Sequence, residues 1–228
     1  MEENDPRQSA YGTATLRAAF LALWNDFDPG RDEEYNRWHT FEHVPERLLI
    51  EGITAGLRYW APEREHKRYF TLYELESLAV LGGPGYTKLV RRPSDWTSRM
   101  RPSFREFLRH ACRTVEDQGR GLGGCVATFR FSVPYELDRT QAEPVLQGFL
   151  ETAGITRLRL GHADASARFP IANETVPAQG ETYVLIAEGL ERRSLEQKAP
   201  RIADALRRDL EASGEVAWES YQLAFALK

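Results

Sequence analysis

The chain has 228 residues, 42 % of them hydrophobic, and a formal net charge of −4 from 30 basic and 34 acidic side chains. That is enough apolar material for one large domain or two of roughly 100 residues, and the interspersed charges offer no basic face to nucleic acid. No run approaches the roughly 18 apolar residues a membrane span needs, and the polar stretch from Met1 to Tyr11 has no apolar core, so a cytoplasmic protein with neither membrane nor nucleic acid as partner is expected.

Residues 1–15 read as a flexible N-terminal segment. The apolar run from Arg17 to Phe27 then ends in Asp28-Pro29-Gly30, a strand followed by a turn. A helix and its exit follow over Glu34 to Arg47. Along it Tyr35, His39, Glu42, His43 and Glu46 recur at i, i+4, i+7, i+8 and i+11, which puts them on one stripe. Core residues normally occupy such a stripe, so imidazoles and carboxylates there need a polar cavity or a metal as partner. Pro45 lacks an N–H and disfavours helix at the residue before it, so the helix should end near His43 or Val44. A helix C-terminus, with Glu42 or Glu46 nearby, favours imidazolium. His43 is therefore expected either to cap the helix or to act as a proton donor with a raised pKa.

Downstream, Ile53 to Trp60 and Arg68 to Glu76 alternate as strands, and Gly82-Gly83-Pro84-Gly85 reads as a flexible loop able to cover a pocket. Short helical pieces around Tyr86 to Val90 and Asp95 to Arg101 lead to a fourth strand near Phe107 to Glu116. This β-α-β-β-α-β order is ferredoxin-like. It then repeats: a strand at Cys125 to Val133, a helix from Thr140 to Glu151, strands at Ile155 to His162 and Glu181 to Glu188, a helix from Arg193 to Ala212 and a last strand from Val216 to Leu227. The expected organisation is α+β, with two tandem ferredoxin-like repeats at 16–117 and 118–228 and a hinge at the glycine-rich Gln118 to Gly124. Cys112 and Cys125 are expected to remain free, because a cytosolic setting keeps thiols reduced.

His39-Thr40-Phe41-Glu42-His43 also spells H-x-x-E-H, so His39 and His43 are alternative ligands of a divalent metal, with Glu116, His110 or Cys112 as a third. The sequence has no G-x-S-x-G elbow, and no G-x-G-x-x-G opens a helix, so neither serine hydrolase nor dinucleotide chemistry is supported. On the third strand Tyr69, Thr71 and Tyr73 share one face and Phe70 and Leu72 the other, and the hydroxyl face suits a cavity.

Trp38, His43-Val44-Pro45, Glu46-Arg47, Gly52, Arg58-Tyr59 and Leu72-Tyr73-Glu74-Leu75 together resemble the EthD-like branch of the dimeric α+β barrel proteins, mainly over residues 16–117. Glu51 stands where that branch usually has a proline. The resemblance implies a barrel of two four-stranded sheets with helices outside, here supplied by one chain, and a cleft between sheet and helix. Its second half carries no His-x-Pro exit. Relatives range from cofactor-independent isomerases and polyketide cyclases to monooxygenases and haem enzymes, so the fold leaves haem open and fixes little chemistry.

The leading expectation is a cofactor-independent isomerase, lyase or cyclase acting on a small aromatic or carbonyl compound. His43 moves a proton with His39 and Glu42 beside it, and Tyr69 or Tyr73 bonds a developing oxyanion. Arg58 anchors an acidic group, while Tyr35, Trp38, Trp60 and His110 complete the binding ring. The alternatives are a metal enzyme using His39 and His43, and a non-catalytic ligand-binding or assembly protein. Either a monomer or a homodimer fits.

Overall fold

A computed structural model describes residues 18–166 and 181–228. The N-terminal segment 1–15 and most of the Ala-, Pro- and Asn-rich loop before Glu181 lie outside the described residues. Eight strands form one closed barrel: β1 (Ala19–Phe27), β2 (Ile53–Trp60), β3 (Tyr69–Leu75), β4 (Phe104–Gly119), β5 (Cys125–Val133), β6 (Ile155–Ala163), β7 (Glu181–Gly189) and β8 (Ser213–Leu227). The order around the barrel is β1-β3-β2-β8-β5-β7-β6-β4. Within each half the spatial order is fourth, first, third, second: β4-β1-β3-β2, then β8-β5-β7-β6. The two ferredoxin-like sheets are joined edge to edge by the antiparallel pairs β2 with β8 and β4 with β6. Closure leaves no free sheet edge, which removes the usual template for strand-to-strand association.

Alternation along the strands sorts the side chains. Phe20, Ala22, Trp24, Leu57, Tyr59, Phe70, Leu72, Cys112, Val184 and Ile186 fill the barrel interior, all of them buried. A charged network shares that interior: Arg159, 2 % exposed, bonds Glu74 at 2.8 Å and Glu188 at 2.5 Å. The intervening residues face outward beneath the helices. Over the second half, α5 (Arg139–Leu150) and α6 (Arg192–Asp209), the latter through Leu195 and Leu206, close on Phe129, Leu158, Leu160 and Leu185. Asp138 starts α5 with a reciprocal capping box: its carboxylate accepts from Gln141 N and its own N–H donates to the Gln141 side chain.

The first half carries α1 (Asp32–Trp38), a π-helical turn (His39–His43) and α2 (Val44–Leu48), then α3 (Pro84–Arg91) and α4 (Asp95–Met100). The expected stop at His43 or Val44 does not occur. Val44 N–H bonds back five residues to His39 O, and this widened turn admits Pro45, which has no N–H and crowds the carbonyl four residues before it. Close packing holds the continued helix on the sheet: a Cβ at Gly56 would lie 2.6 Å from Val44 Cγ1.

Other boundaries also differ. β4 is longer at both ends than expected and runs past residue 118 to Gly119, while α6 stops at Asp209 rather than Ala212. The Gly82 to Gly85 stretch is not a loose loop, since it ends a 3-10 turn and begins α3. Nor is the segment from Gln118 to Gly124 an open hinge: Arg120 N donates to Thr156 O at 2.9 Å, and Gly123 N donates to buried Glu188 at 2.9 Å. Cys112 and Cys125 are free and buried.

Candidate functional site

A cavity of about 440 Å³ lies between the outer face of the first sheet and the helices over it. Its walls are mostly apolar, with Leu21 and Leu23 from β1, Ile53 from β2, Phe104 and Phe107 from β4, and Val90 from α3. Polar groups enter from several elements: His43 from the π turn, Arg47 from α2, Tyr73 from β3, Thr97 from α4, Arg101 from the turn after it and Arg109 from β4. An apolar volume with a few convergent polar groups is the usual form of a small-molecule site.

The π turn organises one wall. Tyr35, His39 and His43 stack in succession, with centroids 5.2 Å and then 5.1 Å apart, and Trp38 lies 4.3 Å from the His43 ring. π turns inside α-helices recur at functional sites because the extra residue re-aims side chains. His43 Nδ1 is buried with no hydrogen-bond partner among the described residues, and Glu46 Oε1 is 3.5 Å away. The expected raised pKa is reversed. Burial, reinforced by Arg47, Arg101 and Arg58, holds the His43 imidazole well below its ordinary value, so the ring is neutral at pH 7. The helix does not end at His43, and so supplies no row of free carbonyls to favour imidazolium.

Tyr73 Oη is likewise buried without a hydrogen-bond partner among the described residues, and burial pushes its pKa up, so the phenol stays protonated as a donor. Arg47, 7 % exposed, lies 5.3 Å above the Tyr86 ring, and its Nη1 has no hydrogen-bond partner among the described residues.

Among the residues expected at the site, the cleft brings together His43, Trp38 and Tyr73. His39 is buried behind His43 in the stack. Tyr35 donates to Asn25 and Tyr69 to Asp32, both in the aromatic cluster beside the cleft. Glu42 accepts from Ser94 and Thr97, fastening the helix to α4. Arg58 is engaged with Thr40 at 2.9 Å and Asn36 at 2.9 Å, its charge over Tyr35, so it is a strut of the helix and not the expected anion anchor. Trp60 is 39 % exposed at the strand end. His110 points into the barrel on the opposite side of the sheet, where it meets Trp24 edge-on and burial lowers its pKa to about 4. Arg47, Arg101, Arg109 and Tyr86 were not among the expected residues. For Arg109 the signal was present, because the alternation that turns His110 inward turns Arg109 outward.

The metal alternative does not fit this geometry. The His39 and His43 planes are 17° from parallel, so their in-plane lone pairs run in two separate layers rather than converging on one ion. His110 and Cys112 are inside the barrel, and Glu116 bonds Arg139 at 2.9 Å. Among the described residues no three His, Cys, Asp or Glu side chains form a metal-holding group. For haem, the residues that would have to hold it are His43, a neutral imidazole, and the cleft arginines facing its carboxylates.

No family model matches the chain, and no curated protein matches it in sequence. Solved structures do. An anthrone oxidase-like protein superposes with a TM-score of 0.61 at 10 % identity, covering 92 % of both chains. A putative monooxygenase from Lactobacillus acidophilus NCFM gives 0.53 at 9 % identity over 90 % of this chain and 92 % of that one. A mutant chlorite dismutase from Candidatus Nitrospira defluvii gives 0.55 at 8 % identity, over 91 % and 92 %. The likeness is one of fold. It extends over nearly the whole of each chain, so the duplicated α+β barrel is an architecture these proteins share.

Proposed function

We propose that the cleft is the active site of a small-molecule enzyme in which neutral His43 accepts a proton from an aromatic or carbonyl-containing substrate. The observation that carries this reading is the pair of buried polar groups without a hydrogen-bond partner among the described residues, His43 Nδ1 and Tyr73 Oη, on the walls of a mostly apolar cavity. Buried polar groups are normally satisfied, and an active site is where exceptions concentrate. As His43 takes the proton, the electron pair of the broken bond moves onto the substrate's carbonyl or phenolic oxygen. Tyr73 donates a hydrogen bond to that oxygen, stabilising the charge as it develops. Glu46 is placed to steady the imidazolium. Return of the proton to a different atom completes an isomerisation, and expulsion or attack of a neighbouring group completes a lyase or cyclase reaction. Kinship with the EthD-like branch is part of this proposal, supported by the His43-Val44-Pro45 turn that aims the imidazole.

A second reading is oxidation, favoured by the fold shared with an anthrone oxidase-like protein and a putative monooxygenase. There the same substrate anion passes electrons to dioxygen; a CH₂ becomes C=O and one water is released. Haem, if bound, would supply redox chemistry at iron, with His43 as its ligand and the arginines at its carboxylates.

Anthrone, an aromatic ketone with an acidic CH₂, tests both readings in D₂O. Deuterium entry at the CH₂ should be faster with the native chain than with His43→Gln by roughly 100-fold after subtraction of the blank. Uptake of dioxygen with formation of anthraquinone selects the oxidative reading. Equal exchange by native chain, variant and blank sinks the proton-transfer assignment.

A further inference from the structure

Three guanidinium groups face a mostly apolar cleft that His43, Tyr73 and Thr97 also enter, and no carboxylate is among its lining residues. Arg47 comes from α2, Arg101 from the rim between α4 and β4, and Arg109 from the sheet floor, where it pairs with Leu23. They are not equivalent. Arg101 Nη2 is held by Val90 O at 2.9 Å and is exposed, whereas Arg47 is 7 % exposed with one terminal nitrogen lacking any hydrogen-bond partner among the described residues. A guanidinium buried this far ordinarily has each N–H answered, because leaving a charged donor unpaired costs free energy. Like charge adds to the cost: after burial, the largest influence depressing the Arg101 pKa is Arg47. The cleft therefore gathers three positive charges on its walls, and the carboxylate that bears on Arg47 and Arg101, Glu46, lies outside its lining.

Resting on the reading of this cleft as an active site, we propose that its substrate carries a carboxylate, received by Arg47 with Arg101 and Arg109, on a flat apolar ring system that lies against Phe104, Phe107 and Trp38. Guanidinium and carboxylate match as planar forks that form paired, charge-assisted bonds, so Arg47 Nη1 gains the acceptor it lacks. A cavity of about 440 Å³ accommodates a fused-ring acid. The same anion also serves the base. Arg47 and Arg101 follow burial among the causes that depress the His43 pKa, so a carboxylate that offsets their charge makes His43 a stronger proton acceptor once substrate is seated. An uncharged compound of the same shape leaves the base as it is in the free protein.

Isothermal titration of the purified chain with naphthoate and with its uncharged isostere naphthamide tests this. Naphthoate should bind about tenfold more tightly or better, and Arg47→Gln should remove that preference by weakening naphthoate more than naphthamide. Arg109→Gln serves as a second reporter should Arg47→Gln fail to fold by circular dichroism. Arg99→Gln, an exposed arginine on the same helix as Thr97, should change nothing. Equal binding of acid and amide overturns the carboxylate assignment and leaves the cleft a ligand site. No binding of either at millimolar concentration overturns both. A Soret shift on adding haemin, in a chain that ignores naphthoate, assigns the arginines to porphyrin carboxylates and overturns the small-acid substrate.

Discussion

The His39 and His43 imidazoles stack 5.1 Å apart in nearly parallel planes. Two residues four apart on a helix are usually read as a shared metal site, but here one ring serves as packing for the other. Purified protein should accordingly contain no stoichiometric zinc, and neither His39→Ala nor His43→Ala should alter its metal content, as measured by plasma emission. Stoichiometric zinc lost on either substitution would contradict the stacked geometry.

Because burial keeps His43 neutral, its base form persists well below pH 6.5. Turnover of a substrate should then stay flat through neutrality and fall only as pH drops through the lowered pKa. A proton donor would show the opposite, losing activity as pH rises. His43→Gln should reduce turnover by roughly 100-fold or more and abolish the acidic limb. A pH profile falling on the alkaline side, removed by this substitution, would refute the assignment.

Three imidazoles, His39, His43 and His110, are depressed by burial, His110 to about 4. Above pH 6.5 both folded and unfolded chains hold them neutral and they contribute no pH dependence. Below it the unfolded chain binds protons the folded chain refuses, so stability should fall with pH between about 6.5 and 4. Urea midpoints across this window measure it. His110→Asn should flatten part of the slope, and an unchanged slope would show that His110 titrates normally in the folded protein.

Inside the barrel, Arg159 ties Glu74 to Glu188 and so links one strand of each ferredoxin-like sheet. Arg159→Ala removes the buried cation from Glu188 and leaves Glu74 the longer 3.5 Å pair with Arg157, and should cost about 3–5 kcal/mol. Arg113→Ala, whose pair with Glu136 is solvent-exposed, should cost under about 1 kcal/mol. Comparable losses from the two substitutions in chemical denaturation would show that the network is as well hydrated as the surface pair.

Much of the barrel could be read from the chain because its information is local. Alternation in Arg68 to Glu76 separates Tyr73 from Leu72, and the repeated element order follows from turn residues. What escaped depends on the assembled protein. Pro45 is a local stop signal, overruled by close packing of Val44 over Gly56. The direction of the His43 shift is a matter of burial, which a helix-end argument does not weigh. The cleft arginines are far apart in sequence, and only the closed sheet and its helices bring Arg47, Arg101 and Arg109 to one cavity.

The wide turn at His39–His43 also makes the length of this segment a functional quantity. Each residue advances a helix by about 100°, so deleting one between Trp38 and Val44 would restore ordinary winding and swing everything before the cut relative to everything after it. Either His43 and Arg47 or Tyr35 and Trp38 would then lose their places, since both pairs cannot keep the present phase. Homologous chains that share the cleft should therefore tolerate many substitutions here but no gaps, whereas chains with a residue missing at this point should keep the barrel and have taken up different chemistry.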